Sequence, residues 1–107
     1  MARISTHVLD TALGRPAPGV AVRLEILGAD GWGALAAAVT DADGRIPSLA
    51  DVAEPGRYRL IFDTGAYLGA RAFYPEAIVV FRVGDPAEHV HVPLLLSPFG
   101  YTTYRGS

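Results

Sequence analysis

Apolar residues in this chain recur at every second position, in short runs that Gly, Pro and Asp interrupt. A period of two places alternate side chains on opposite faces of an extended strand, so the pattern calls for half-buried strands joined by tight turns. Ile4–Leu9 reads as the first strand, with Ile4, Thr6 and Val8 on one face and Ser5, His7 and Leu9 on the other. Gly14–Gly19 reads as a loop. Val20–Leu27 follows, with Val20, Val22, Leu24 and Ile26 inward and Arg23 and Glu25 outward. The Ala-rich stretch Gly33–Thr40 is assigned as strand because it runs into Asp41-Ala42-Asp43-Gly44, a hairpin-type turn signal. Arg45, directly after that turn, is expected on a loop. Tyr58–Phe62, Ala77–Val83, His89–Ser97 and Tyr101–Tyr104 complete the strands, with turns at Gly84-Asp85-Pro86 and Ser97-Pro98-Phe99-Gly100. Thr64–Arg71 is the single helical candidate, with Thr64 as its cap and Gly65 and Gly69 keeping it short. Seven to eight short strands and one short helix predict an all-β antiparallel sandwich.

At 107 residues the chain has material for one domain, expected to span 1–107. A charged fraction of 19% with 50% hydrophobic residues is the composition of a chain that folds. No apolar run reaches the ~18 residues of a membrane span, so a soluble protein without a membrane partner is expected. A net charge of −2 offers no footprint for nucleic acid. The chain has no Cys, and all nine of its basic residues are Arg, with no Lys. Disulfides, thiolate nucleophiles and lysine Schiff bases are therefore excluded, and any reaction must use His, Arg, carboxylates, hydroxyls or backbone groups. The start Met1–Asp10 lacks a charged-then-apolar leader, which makes a cytoplasmic location the expectation.

Three groups of residues could carry chemistry. His89 and His91 share a strand face at an i, i+2 spacing, and His7 lies on another strand. Three imidazoles could hold a zinc ion with an open position, could be ordinary polar-face residues, or could act as metal-free bases. Arg45 reads either as a solvated cation paired with Asp43 or as a planar donor fork for an oxyanion or heterocycle. Tyr101–Ser107 carries two tyrosines and an arginine, which suggests a docked end, with an edge strand as the plain alternative.

Three motifs, read in order, resemble the 5-hydroxyisourate hydrolase family, the transthyretin-related enzymes of urate breakdown. They are Ser5-Thr6-His7-Val8-Leu9-Asp10 through Pro16, Thr40-Asp41-Ala42-Asp43-Gly44-Arg45, and His91-Val92-Pro93-Leu94-Leu95-Leu96-Ser97-Pro98 through Tyr104-Arg105-Gly106-Ser107. The resemblance runs from Ser5 to Ser107. It implies a transthyretin-like sandwich, assembled as a homotetramer with active sites where dimers meet. It also implies cofactor-free and metal-free hydrolysis of 5-hydroxyisourate to 2-oxo-4-hydroxy-4-carboxy-5-ureidoimidazoline, with His7, Arg45 and His91 as catalytic residues. His7, Arg45, Tyr104, Arg105 and Ser107 would bind the substrate, and His89, beside the Gly84-Asp85-Pro86 turn, would sit at the rim or be buried in strand packing. The alternatives are a transthyretin-like carrier of small ligands without catalytic activity, and an accessory sandwich domain of a secreted protein.

Overall fold

The computed structural model describes residues 1–107. Its strands are β1 (Ala2–Asp10), β2 (Arg15–Pro16), β3 (Ala21–Gly28), β4 (Gly31–Val39), β5 (Arg45–Val52), β6 (Gly56–Phe62), β7 (Ala77–Val83), β8 (Val90–Ser97) and β9 (Gly100–Thr103). Helix α1 (Thr64–Leu68) runs on into a 3-10 turn at Gly69–Arg71. One sheet has the order β2-β1-β8-β9 with β5 also paired to β1, and the other has the order β4-β3-β6-β7. The expected sandwich is therefore present, and apart from the two-residue β2 it contains eight strands. No helix is long and apolar enough to cross a membrane.

The alternation read along each strand sets the core. Ile4, Val8, Val92, Leu94 and Leu96 from one sheet pack against Val22, Leu24, Leu60 and Phe62 from the other, all buried. Helix α1 is tied to the first sheet by Tyr67, whose hydroxyl donates to Asp10 Oδ2 at 2.8 Å. Burial pushes the Asp10 carboxyl up, but N–H donors of Leu13 and Ala12 and the Tyr67 hydroxyl outweigh it and hold the group below its ordinary value.

Four local expectations are corrected. Asp41–Gly44 does not close a hairpin: β4 pairs with β3 in one sheet and β5 with β1 in the other, so the turn carries the chain across the sandwich. Arg45 is not on a loop but opens β5, where it pairs with His7. The strand escaped notice because its inward residues are Ile46, Leu49 and Val52, and their spacing of three breaks the period of two. A register shift opposite Ser5 absorbs the extra residues, and Pro47 falls within it, where an edge strand tolerates a missing N–H donor. The helix cap is Asp63, whose side chain accepts from the Ala66 N–H, while Thr64 is buried and donates its hydroxyl to the Tyr74 carbonyl. The fourth concerns strand direction: β1 and β8 run parallel, whereas every other paired strand is antiparallel.

Candidate active site

β1 lies between β5 and β8, so its backbone is bonded along both edges and its outward side chains stand on a platform held from two sides. Register then decides which residues meet. Ser5 is opposite His91 on β8, and His7 is opposite both Pro93 on β8 and Arg45 on β5. Residues opposite one another point to the same face, so Ser5, His7, Arg45 and His91 share the outer face of this sheet. An open cleft of about 220 Å³ sits there, lined by Arg3, Ser5, Arg45, His89, His91 and Ser107, with Thr6 and Pro47 completing it. None of these eight residues is hydrophobic.

The turn before Arg45 is built to place it. Asp41 Oδ1 accepts from the backbone N–H groups of both Asp43 and Arg45 at 2.9 Å. Gly44 has φ 72°, and a Cβ there would come within 2.4 Å of the Val8 carbonyl oxygen, so only glycine lets the turn press onto β1. Asp41 is thus committed to the backbone, and no carboxylate lies within salt-bridge distance of the Arg45 guanidinium; the two ion pairs in the protein are Arg59–Glu25 and Arg105–Glu88. The pairing with Asp43 considered for Arg45 does not form, and its donor fork stays open to a ligand.

His7 Nε2 lies 2.9 Å from the Asp43 carbonyl oxygen. A carbonyl only accepts, so Nε2 carries the proton and neutral His7 keeps a basic Nδ1. His91 Nδ1 lies 2.7 Å from Ser5 Oγ, and His89 Nε2 lies 2.7 Å from the same oxygen. Burial is the main cause of a lowered His91 pKa, and the nearby His89, His7 and Arg45 push it in the same direction. The ring therefore stays neutral at pH values where a free imidazole, with its ordinary value of ~6.5, is half protonated. An NMR titration should show a His91 midpoint below that value. A midpoint at or above it would mean that a carboxylate or substrate-like anion, not burial, governs the ring.

The terminal segment closes the cleft. The Gly106 N–H donates to the His91 carbonyl at 2.9 Å, and a Cβ on Gly106 would meet His91 Cδ2 at 2.4 Å. Glycine here lets the backbone lie against the imidazole, which brings Ser107 to the cleft wall. Tyr104 and Arg105 do not line this cleft. They border a second cavity of about 340 Å³ with Val79, Phe81, Val90 and Val92, and Arg105 is paired with Glu88. His7 adjoins the cleft through its register with Arg45 but is not among its lining residues. No group of three or more His, Asp or Glu side chains converges at metal-ligand distances, so the three imidazoles do not form one ligand set.

Sequence reasoning missed Arg3 and the role of Ser5. Both precede His7 by even steps on one strand, so their shared face was readable. Their meeting with His89 depends on the parallel β1–β8 pairing, which no local signal reports.

Comparison with known proteins agrees with this architecture. A 5-hydroxyisourate hydrolase of Salmonella dublin is 50% identical over 97% of this chain and 80% of its own length. Among solved structures, 5-hydroxyisourate hydrolase of Klebsiella pneumoniae superposes with a TM-score of 0.88 at 39% identity, covering 100% of both chains. Sea bream transthyretin in complex with thyroxine also has a TM-score of 0.88 at 39% identity, covering 98% of this chain and 95% of that one. The HIUase/Transthyretin family pattern matches residues 4–106, and the chain belongs to that family.

Proposed function

We propose that this protein hydrolyses 5-hydroxyisourate in urate breakdown. The observation that carries the reading is the cleft itself: the imidazoles of His89 and His91, the unpaired guanidiniums of Arg3 and Arg45 and the hydroxyls of Ser5 and Ser107 meet around a volume with no hydrophobic lining residue, and His7 adjoins it beside Arg45. Such a wall suits a small, flat, polar heterocycle. It does not suit the carrier alternative at this position, because pockets for apolar ligands are lined mainly by aliphatic and aromatic side chains.

In this reading water attacks a ring carbonyl, the new C–O bond forms as the C–N bond of the cyclic amide breaks, and the ring nitrogen leaves with a proton. His7 and His91 bracket the reacting groups, one imidazole taking the water proton and the other donating. Arg45 donates to the oxygen on which charge builds. Ser107 hydrogen-bonds the ring, and Tyr104 and Arg105 take part in substrate binding by anchoring the segment that carries Ser107. No metal or cofactor enters the scheme. Residues 1–107 act as one hydrolase domain.

The assembly in this reading is a homotetramer. It is supported by a run of neighbouring aromatic rings on the surface, Phe73, Tyr74, Phe99 and Tyr101, in which Phe99 is 77% exposed and Phe73 66%. A cytoplasmic location accords with a chain that has no cysteine to form disulfides. The test is the decay of freshly generated 5-hydroxyisourate. It should be faster with the protein than without, and dialysis against a strong chelator should leave the rate unchanged. Activity lost on dialysis and restored by zinc would replace this scheme with a metal-based one.

A further inference from the structure

The hydrogen-bond partners of one serine assign different roles to the two catalytic imidazoles. Ser5 is buried, and its single hydroxyl lies 2.7 Å from His89 Nε2 and 2.7 Å from His91 Nδ1. A hydroxyl has one proton, so it donates to one ring and accepts from the other. Taken alone, the trio could run in either direction. The far nitrogen of His89 breaks the tie: Nδ1 faces Arg3 Nη2 at 3.5 Å, and a guanidinium has donors only. His89 Nδ1 must therefore accept, which puts the His89 proton on Nε2, where it donates to Ser5. The Ser5 hydroxyl then donates to His91 Nδ1, and neutral His91 carries its proton on Nε2.

We propose that Arg3, His89 and Ser5 form a polarised chain that sets the tautomer of His91, making His91 the donor and leaving His7 as the base. Arg3, His89 and Ser5 are positioning residues, since each acts through His91. The division of labour is complementary. His7 spends its N–H on the Asp43 carbonyl and keeps a basic nitrogen, while His91 spends its basic nitrogen on Ser5 and keeps an N–H. In the hydrolysis proposed above, His7 Nδ1 takes the proton of the attacking water and His91 Nε2–H serves the departing ring nitrogen. The role in catalysis rests on that reading; the tautomer does not.

Heteronuclear NMR of the imidazole nitrogens distinguishes the two neutral tautomers and needs no substrate. At neutral pH the wild-type protein is expected to show His91 protonated on Nε2, favoured by about fivefold or more, the ratio that one hydrogen bond of ordinary net strength supports. Arg3 is exposed, so Arg3→Glu is compatible with folding. It places an acceptor where the donor stood and should reverse the whole chain, moving the His91 proton to Nδ1. Arg3→Lys keeps a donor and should leave the tautomer unchanged. Adding Ser5→Ala to Arg3→Glu removes the link and should abolish the reversal. In turnover of 5-hydroxyisourate, Arg3→Glu is expected to lower kcat by about 10- to 100-fold with little change in KM, the usual worth of a residue that orients a catalytic one. The same spectra read the protonation state of His89; a wild-type His91 protonated on Nδ1, or a His91 proton unmoved by Arg3→Glu while His89 is neutral, overturns the chain whatever the kinetics. The predicted tautomers without turnover would leave the chain standing and remove the hydrolase reading instead.

Discussion

His7→Ala and His91→Ala are each expected to lower the chemical step by about 10²–10⁴-fold, the usual worth of a positioned acid or base. The register of three strands supports both assignments: β1 carries His7 opposite Arg45 of β5, and β8 carries His91 opposite Ser5. Neither ring supports the core, since both stand on the outer face of the sheet, so circular dichroism should show native spectra for both variants. His89→Ala leaves acid and base in place and frees only the orientation of His91, so a loss of about tenfold is expected. Steady-state and single-turnover kinetics of the three variants give the check. A nearly inactive His89→Ala beside an active His91→Ala would show that the two histidines of the His-Val-His run have exchanged roles.

Arg45→Lys should be almost as damaging as Arg45→Ala, each costing about 10²–10³-fold in kcat. Lysine keeps the charge but replaces a planar fork of five donors by a compact ammonium, and it cannot hold a carbonyl oxygen and a heterocycle edge together. The guanidinium has no carboxylate partner to lose, so little change in thermal stability should accompany the kinetic defect. Near wild-type turnover in both variants would return Arg45 to the role of a solvated surface cation.

How much of this could be read from the chain depended on whether the physical signal was local. Strand faces were legible: the side of β1 that holds Ser5 and His7 follows from alternation alone, and the burial of Ile4, Thr6 and Val8 matches it. Val20–Leu27, with its clean period of two, and Ala77–Val83, a short run apolar at all but one position, became strands within a residue of the expected bounds. β5 stayed hidden because its bulge turns a period of two into a spacing of three, and Pro47 reads as a strand breaker unless the strand is known to be an edge. The crossing at Asp41–Gly44 looked like a hairpin because the turn chemistry is the same; which sheet receives the next strand is decided by long-range pairing. Within the site, Arg45 was legible as a residue placed by a turn and His91 as a strand-face residue. Arg3, Ser5 and His89 could not be connected, because their contact depends on the register of two strands more than eighty residues apart, separated by |i−j| of 84 and 86. That Tyr104 and Arg105 border a different cavity from Ser107 was likewise not readable, because it depends on tertiary packing around the docked Gly106.

One comparison tests most directly whether the polar cleft on the outer face of β1, β5 and β8 performs the reaction. The disappearance of freshly generated 5-hydroxyisourate is followed spectrophotometrically with no protein, with the wild type and with a His7→Ala/Arg45→Ala double variant whose fold is verified by circular dichroism. The cleft account predicts strong acceleration by the wild type and decay at the spontaneous rate with the double variant. Spontaneous decay with both proteins would contradict it in favour of a carrier, and undiminished acceleration by the double variant would move the chemistry to another part of the molecule.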